Sequence, residues 1–313
     1  MAKVGTSQLR RGIVDSVERI LAESLLLGYQ ANNVSLIKLT IALPSLVSDV
    51  AKLLGRKKAL EFQGGWLSGR TFESELPYLW QFKSAYSIES LSWFTLPADL
   101  YSVRTPTTNA VSHCTVEVDL AAPHKFVEHV EWVGGHGRLC IMSIDIECRA
   151  QGGKFPDPLR DPVVQIAACV QREGQPLLAR VFTLQTCDQI PHASVFPYLH
   201  EHLLLSAWRR FVLEADPDVI TGYNIVGFDF PYLLNRAATL AYHPDLADFA
   251  CLGRVKSSPI AHSPWASRVG TPTIHVRGRL VLDLLPYMRQ FQRLSSNKLQ
   301  DVSCSFLGLS KAP

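Results

Sequence analysis

The chain has 313 residues, 47% of them hydrophobic and 19% charged, a composition that is typical of a folded protein and excludes long disordered stretches. Its formal net charge of +3 is too small to indicate nucleic-acid binding by itself, so such binding would need local basic patches. No apolar stretch reaches membrane-spanning length and the N-terminus has no signal-peptide core, so we expect no membrane partner and a location in the cytosol or nucleus.

The first part of the chain has an α+β pattern. Apolar residues recur at helical spacing over 9–27, which predicts an amphipathic helix, and the β-branched segment 34–43 predicts a strand. Residues 44–54, with a proline in the first turn, predict a second helix, and Thr71 resembles the capping residue of a third. Short strands are expected within 88–118. Nothing in this part indicates catalysis.

Glycine and proline mark a linker at 119–138, and the pattern changes after it. We therefore predict two domains, one over residues 1–130 and one over residues 131–313. In the second, strands and helices alternate, which predicts an α/β domain built on a mixed sheet. The predicted elements are strands at 139–148, 163–171, 178–184, 218–223 and 278–285, and helices at 197–215, at 231–242 and from about Pro286.

The seven cysteines are scattered through the chain, and none forms a Cys-x-x-Cys pair. Several lie in apolar strand-like segments, which favours reduced thiols in an intracellular protein. The spacing contains no zinc signature.

Two acidic residues end the first strand of the second domain. Alternate side chains of a strand share a face, so Asp145 and Glu147 point one way and Ile144 and Ile146 the other. Carboxylates in an apolar strand are costly unless they are paired or bind a metal. Metal binding is one reading; a strand end open to water, or a salt bridge to Arg149, is the other.

A third acid, Asp229, follows the later strand at 218–223. Hard oxygen ligands gathered by a sheet are what a pair of Mg²⁺ or Mn²⁺ ions needs in order to attack a phosphodiester. Taken singly, Asp229 is better explained by helix capping, because it precedes a helix with a proline nearby, although the two roles can coexist. Asn224 and Asp283 lie near these acids in the predicted sheet. Each also has a structural explanation: Asn224 as a turn residue, and Asp283 as an aspartate whose hydrogen bonds are satisfied within the fold.

The flanks of these acids resemble B-family DNA polymerases. Ser143-Ile-Asp-Ile-Glu-Cys148 is similar to the first exonuclease motif of that family, and the segment from Thr221 to Ala237 is similar to the second, almost without gaps. The segments at 153–167 and 216–222 resemble the family's delta catalytic subunits in particular. The resemblance covers roughly residues 27–310.

The resemblance implies that residues 131–313 form an RNase H-like 3′→5′ proofreading exonuclease, preceded by the family's α+β N-terminal domain. Asp145 would hold both Mg²⁺ or Mn²⁺ ions, Glu147 would hold one and orient the attacking water, and Asp229 would complete the cluster. The implied substrate is a frayed DNA 3′ end. Tyr223, Asn224 and Phe228 are candidate DNA contacts by position, with a core role as the alternative for the aromatic residues.

A basic segment at 254–279 corresponds to a β-hairpin of the family that helps to separate primer from template. Its candidate DNA contacts are Arg254, Lys256, Arg268 and Arg277. A mobile surface loop explains the same composition equally well.

The chain also departs from the family. The family's exonuclease uses a fourth acid in a Tyr-x-x-x-Asp motif, and no tyrosine of this chain has an aspartate four positions on. The polymerase motifs are absent too. The two-metal site is therefore expected to be incomplete in this chain, with weak or absent activity. The alternative to a proofreading exonuclease is a non-catalytic DNA-binding or assembly fragment. Nuclear location, accessory polymerase subunits and a sliding clamp are further implications of the resemblance.

Overall fold

The computed structural model of the protein describes residues 13–22, 33–55, 60–62, 65–67, 69–86, 88, 93–104, 110–120, 128–129, 137–150, 152–263, 272–292 and 294–309. The chain forms two compact units. The first unit contains Met1–Pro97 and Ala122–Val133, and the second contains Ala98–Ala121 and Gly134–Pro313. The predicted boundary at residue 130 stays a prediction.

Short antiparallel strand pairs and two helices make up the first part of the chain. The pairs are β1–β2, β3–β4 and β5–β8 in the first unit, and β6–β7 in the second. The elements are β1 (Val14–Ala22), β2 (Val34–Ile41), α1 (Val47–Leu54), β3 (Leu60–Phe62), β4 (Gly65–Leu67), α2 (Tyr78–Ala85), β5 (Phe94–Thr95), β6 (Tyr101–Val103), β7 (Val118–Leu120) and β8 (Glu128–His129).

The helix predicted over 9–27 is wrong where the structure describes that segment, since Val14–Ala22 is the strand β1. β1 pairs antiparallel with the predicted strand β2. Cross-strand side-chain pairs favour this arrangement: Ser16 donates to Thr40 at 2.9 Å, and Arg19 donates to Ser35 at 2.7 Å. Pairing with a partner distant in sequence outweighs the local helical spacing. The remaining residues of that prediction lie outside the described part of the chain.

The helix predicted over 44–54 is confirmed, as a turn of 3₁₀ helix over Pro44–Leu46 followed by α1. The helix predicted to begin at Thr71 begins instead at Tyr78, directly after Pro77. Proline fixes its own φ and is favoured at a helix start, so it sets the boundary. Thr71 and Ser74 share a hydrogen bond of 3.0 Å within the turn that precedes the helix.

The second unit is a mixed α/β fold, as predicted, built on a six-stranded sheet with the order β12-β11-β10-β9-β13-β16. β10 runs antiparallel to β9 and β11, while β13 is parallel to β9 and to β16. The elements are β9 (Cys140–Cys148), β10 (Val163–Arg172), β11 (Leu178–Leu184), β12 (Ser194–Tyr198), α3 (Glu201–Ala215), β13 (Val219–Gly222), α4 (Asp229–Thr239), β14 (Ala261–Ser263), β15 (Thr273–His275), β16 (Leu280–Asp283), α5 (Leu284–Phe291) and α6 (Leu299–Leu307).

The core of this unit lies between the sheet and its helices. Met142 of β9, Leu204 and Trp208 of α3, and Phe230 and Leu233 of α4 are all at most 1% exposed. These residues belong to one continuous apolar cluster. Burial of so much apolar surface is the main stabilising term for the unit, and it fixes both α3 and α4 against the sheet.

The predicted start of one helix in this unit needs correction. The helix predicted from residue 197 begins at Glu201, because Ser194–Tyr198 forms the edge strand β12 beside β11.

All seven cysteines are free thiols, as predicted. Among the described residues, no helix has the length and apolar character needed to cross a membrane.

Candidate active site

Asp145 and Glu147 lie on the exposed face of β9, and Ile144 and Ile146 lie on the buried face, each 4% exposed. The alternation predicted from the sequence is therefore confirmed. Since β9 is a central strand with partners on both sides, its backbone is held in place along most of its length. The sheet thus presents two carboxylates at fixed positions near the carboxyl end of β9.

Pairing between β13 and β9 ends early, and Asp229 occupies the position beyond it. The β13–β9 register covers Ile141 to Ser143 only. Further along, the N–H of Ile146 donates to Oδ1 of Asp229 at 3.1 Å. Asp229 is the first residue of α4, and its carboxylate is directed to β9. Asp229 is therefore hydrogen-bonded to the backbone of β9 at Ile146, between Asp145 and Glu147.

Gly222, the last residue of β13, permits this close approach. A Cβ at position 222 would lie 2.6 Å from the carbonyl oxygen of Ile144. Because backbone atoms cannot give way as a flexible side chain can, any larger residue would push the end of β13 away from β9. The glycine therefore allows the chain to turn from β13 towards α4 next to the acidic face.

Burial is the main reason why the pKa of Asp229 rises from its ordinary value to about 7, and the negative charge of Asp145 is the second. The side chain is only 2% exposed. The hydrogen bonds from its own N–H and that of Ile146 oppose the rise. A like-charge effect of this kind means that Asp145 and Asp229 lie close enough to disfavour simultaneous ionisation.

The donor chemistry of this pair fits a divalent cation. Carboxylate oxygens are the ligands that Mg²⁺ and Mn²⁺ prefer, and a cation between Asp145 and Asp229 would remove the repulsion that raises the pKa of Asp229. Within the described residues, no three acidic, histidine or cysteine side chains are grouped so that they could hold a metal ion. The structure therefore brings together two of the predicted ligands and places Glu147 on the same strand face.

The raised pKa of Asp229 predicts a pH dependence of stability in the absence of divalent ions. The folded state retains this proton up to about pH 7, whereas the unfolded chain releases it near pH 4. Stability should therefore fall as pH rises from 4 to 7, by up to about 4 kcal/mol if this carboxyl acts alone. Urea unfolding in EDTA, followed by circular dichroism at several pH values, measures this loss.

Asp229→Asn is the matched variant, since asparagine can still accept the Ile146 N–H but does not ionise. We expect a flatter pH profile for this variant and greater stability than the parent above pH 7. Excess Mn²⁺ should flatten the profile of the parent protein, because the cation favours the ionised carboxylate. An unchanged slope in Asp229→Asn would assign the pH dependence to other groups.

Three aromatic rings form a cluster around Phe228, the residue that precedes Asp229 in the chain. Phe228 contacts Tyr232 with ring centroids 5.5 Å apart, and Phe155 approaches Phe228 edge-on at 5.3 Å. Phe155 is 78% exposed although it makes this contact, while Phe228 is half-buried. Phe155 was not among the site residues predicted from the sequence. Its signal was an aromatic residue in a glycine- and proline-rich loop directly after the acidic strand.

Tyr223 and Asn224 lie in the turn between β13 and α4. The Tyr223 hydroxyl donates to the carbonyl oxygen of Asn297, and burial raises the pKa of this tyrosine. Asn224 has a left-handed φ of 65°, which confirms its turn role, and its N–H donates to Asp283 at 2.8 Å. Both residues are close to Asp229 in the chain, and their contact with DNA stays a prediction.

The predicted basic contacts differ in their surroundings. Arg254 donates to Asp216 at 2.8 Å and to Asp218 at 2.7 Å, so its guanidinium group is engaged in ion pairs. Lys256 and Arg277 are exposed, and Arg268 lies outside the described residues. The ion pairs of Arg254 give it a structural role, and DNA binding by the four residues stays a prediction.

Comparison with known proteins identifies relatives of the chain. A family profile described as DNA polymerase family B, exonuclease domain, matches residues 69–302. The chain is 35% identical over 310 residues to the DNA polymerase delta catalytic subunit of Glycine max, and 34% identical over 316 residues to that of Schizosaccharomyces pombe. These matches cover 95% and 96% of this chain, but the chain spans only 28% of the length of each relative.

A solved structure supports the same fold. The family B DNA polymerase of the archaeon Pyrobaculum calidifontis is similar with a TM-score of 0.64 and 22% sequence identity. The match covers 97% of this chain and 33% of that polymerase. The fold of the second unit, an RNase H-like exonuclease domain with a mixed sheet, is therefore as predicted from the sequence.

Proposed function

The chain belongs to DNA polymerase family B, and we propose that its second unit is a 3′→5′ proofreading exonuclease acting in DNA replication. The substrate would be a single-stranded 3′ end released by fraying of a primer. Fraying costs less at a mismatch than at a matched pair, which would make removal selective for errors.

One observation carries this proposal: Asp229 is bonded to the backbone of β9 between Asp145 and Glu147, and Asp145 raises its pKa. A carboxyl pair that resists joint ionisation, at the edge of an exposed sheet face, is typical of a functional site. The structural alternative of helix capping does not explain why the carboxylate is directed to β9.

Asp145, Glu147 and Asp229 would hold Mg²⁺ or Mn²⁺. Such ions activate a water molecule and stabilise the leaving 3′ oxygen of an in-line displacement. In the metal-free protein, burial and the charge of Asp145 raise the pKa of Asp229 to about 7, so this carboxyl retains its proton well above the pH at which an ordinary aspartate loses it. Its deprotonation is therefore coupled to loading of the site, and activity should rise with pH through this range.

Phe155 and Phe228 would hold the terminal bases. Aromatic side chains bind single strands by stacking without a preference for sequence, as a proofreading site requires. Phe155 is largely exposed and is oriented by its contact with Phe228, which directly precedes Asp229. An aromatic surface beside the carboxylates would thus keep the last phosphodiester near them.

The polarity of degradation tests the proposal. A single-stranded oligonucleotide labelled at its 5′ end is incubated with the 313-residue chain and Mg²⁺ or Mn²⁺. A ladder that shortens from the 3′ end, and that EDTA abolishes, is the expected result. The same oligonucleotide with a phosphorothioate at its last linkage should be degraded more slowly. Cation-independent or internal cleavage would contradict the proposal, and absence of degradation would favour a non-catalytic DNA-binding fragment.

Phe155→Ala should weaken binding of single-stranded DNA. Loss of one stacking ring costs about 1–3 kcal/mol, which corresponds to roughly a 5- to 150-fold rise in Kd. Because Phe155 is 78% exposed, the melting temperature should change little. Fluorescence anisotropy with a labelled oligonucleotide measures the Kd, with Ca²⁺ replacing Mg²⁺ so that the DNA remains intact.

Tyr242→Ala is the control, since Tyr242 is also an exposed aromatic residue, at 74%, and lies outside the proposed site. This variant should bind DNA like the parent. Equal losses in both variants would indicate a nonspecific effect of surface aromatic residues.

We also propose a cellular location and partners for the chain. The relatives are delta catalytic subunits, so a nuclear replicative polymerase is the context that fits the chain. Its partners would be accessory polymerase subunits and a sliding clamp. DNA-directed polymerisation would be the activity of the whole protein in that context. Co-purification of the tagged chain with chromatin during S phase tests the nuclear setting.

A further inference from the structure

Asp283 holds the turn that carries the chain from β13 to Asp229. Its Oδ1 accepts the N–H of Asn224 at 2.8 Å, and its Oδ2 accepts the N–H of Val226 at 3.0 Å. Oδ1 also accepts the N–H of Leu285 at 3.0 Å, at the start of α5. One carboxylate therefore joins a strand end, a neighbouring turn and a helix start.

The turn is otherwise closed on itself. The N–H groups of Gly227 and Phe228 both donate to the carbonyl oxygen of Asn224, at 3.1 and 2.9 Å. Ile225 is fully buried, and its carbonyl oxygen accepts the N–H of Phe230 at 2.9 Å. Because these internal hydrogen bonds hold the turn together, we expect it to move as a unit. Its position then depends on the hydrogen bonds that attach it to the rest of the domain.

The sheet makes Asp283 a fixed anchor. β13 and β16 are parallel, and Gly222 is in register with Asp283. The carboxylate lies at the end of β16, next to the point where the chain leaves β13. It also stabilises the left-handed backbone at Asn224, a conformation that is costly for most residues.

Asp283 is not placed to act as a metal ligand itself. Its Oδ1 accepts two hydrogen bonds and its Oδ2 accepts one, so three of about four lone-pair sites are occupied by backbone donors. Replacing such bonds by a cation would release the turn.

We propose that Asp283 is the positioning residue for Asp229. By holding the N–H groups of Asn224 and Val226, it fixes the turn that delivers Asp229 to the N–H of Ile146. It thereby sets the cation affinity of the site, and in this respect the inference rests on the proposed exonuclease function.

Amide hydrogen exchange at Ile146 provides a test that needs no activity. The N–H of Ile146 donates to Asp229 and not to Asp283, so faster exchange at Ile146 reports loss of the bond to Asp229 once general weakening of the sheet is controlled for. In the 313-residue chain, Asp283→Ala should accelerate exchange at Ile146 by at least about tenfold. Unchanged exchange at Ile146, with faster exchange at Asn224 and Val226, would overturn the proposal.

Asp283→Asn is the graded variant and guards against a failure of Asp283→Ala to fold. An asparagine oxygen can still accept from Asn224 and Leu285, while its amide group would face the N–H of Val226. We expect an increase in Ile146 exchange that is smaller than for Asp283→Ala. A larger increase in Ile146 exchange for Asp283→Asn than for Asp283→Ala would contradict the role assigned to the hydrogen bonds of Asp283.

Thr221→Val is the matched control. Thr221 donates to the carbonyl oxygen of Leu282 at 2.8 Å, so this change removes a hydrogen bond between β13 and β16 without touching the turn. Exchange at Ile146 should match the parent. An acceleration equal to that of Asp283→Ala would mean that general weakening of the strand pair, rather than the carboxylate, is responsible.

Metal dependence gives a second readout. Residues that orient metal ligands typically contribute 10- to 100-fold to affinity or activity. We expect Asp283→Ala to raise the Mn²⁺ concentration for half-maximal degradation by about that factor. An unchanged Mn²⁺ midpoint would overturn the link to the site. If the parent chain degrades no DNA, the proposed function fails, and the Ile146 exchange still decides the role of Asp283.

Discussion

Asp145→Ala is expected to lower the exonuclease rate by at least about a hundredfold while the fold is retained. Asp145 is exposed on β9, so its removal leaves no buried cavity. Metal-assisted stabilisation of the transition state is worth several kcal/mol, and each 1.36 kcal/mol is a factor of ten in rate. The measurement is the initial rate on single-stranded DNA at saturating Mn²⁺, beside the melting temperature.

Glu173→Ala is the control for this variant. Glu173 is an exposed acid between β10 and β11 and lies outside the proposed site. It should keep the parental rate, and both variants should melt near the parental temperature. Equal degradation by the parent and Asp145→Ala would indicate that the activity comes from a contaminant or another site.

Asp145→Ala also has an effect on its neighbour. The charge of Asp145 is the second cause of the raised pKa of Asp229, so its loss should bring that pKa closer to the ordinary range. The stability of the metal-free variant should therefore depend less on pH than that of the parent. A fall in rate together with a flatter stability profile would assign both effects to one carboxyl pair.

The acidic face of the site could be predicted from the sequence because it follows a local rule. Two acids at alternate positions of an apolar strand share a face, and the burial of Ile144 and Ile146 confirms the assignment. Proximity of Asp229 follows less directly, from the resemblance and from the expectation that neighbouring strand ends meet. Its hydrogen bond to Ile146 depends on where β13 leaves β9, which no local pattern specifies.

The role of Asp283 illustrates the limit of local patterns. The sequence singled it out as a further acid near the sheet, with a satisfied structural aspartate as the alternative, and its three backbone hydrogen bonds support that alternative. The partners lie up to 59 positions away, at Asn224 and Val226, and only the parallel pairing of β13 with β16 brings them together. A hydrogen bond between strand ends is a property of topology, which the sequence shows only indirectly.

Pairing with a distant segment also explains why the helix predicted over 9–27 is wrong at β1. Residues 13–22 have apolar spacing that suits a helix, but the hairpin with β2 satisfies their backbone groups through cross-strand bonds. Arg254 is a comparable case, since its composition-based reading as a basic DNA contact omits Asp216 and Asp218 from the neighbouring segment. In both, a partner distant in the chain decides the local state.

Arg236→Met is expected to destabilise the second unit by about 3–5 kcal/mol. Arg236 of α4 forms a two-point ion pair with Glu201 of α3, at 2.7 and 2.9 Å, and both side chains are only 10% exposed. The bonds to Glu201 are the first cause of the raised pKa of this arginine. Its removal leaves a carboxylate buried and without its partner, the costly outcome for an ion pair of this kind.

The double variant Arg236→Met/Glu201→Gln distinguishes two costs: the loss of the ion pair itself, and the burial of a Glu201 carboxylate that has lost its arginine. Glutamine keeps an oxygen for the N–H of Val163, which Glu201 accepts at 2.8 Å, and carries no charge. Most of the stability should therefore return, as measured by urea unfolding. Failure to recover would show that the arginine acts through its bond to the carbonyl oxygen of Pro158 instead.

The ion pair also connects stability to the site. Arg236 donates to Pro158 at 3.2 Å, and Tyr232 of the same helix donates to the carbonyl oxygen of Asp161 at 2.8 Å, so α4 holds the loop that presents Phe155. Since the first residue of α4 is Asp229, the helix places both the carboxylate and the loop. The double variant should accordingly recover stability more fully than DNA affinity, because glutamine restores the charge balance but not the bond to the loop. Equal recovery of both would mean that Tyr232 alone is sufficient to hold the loop.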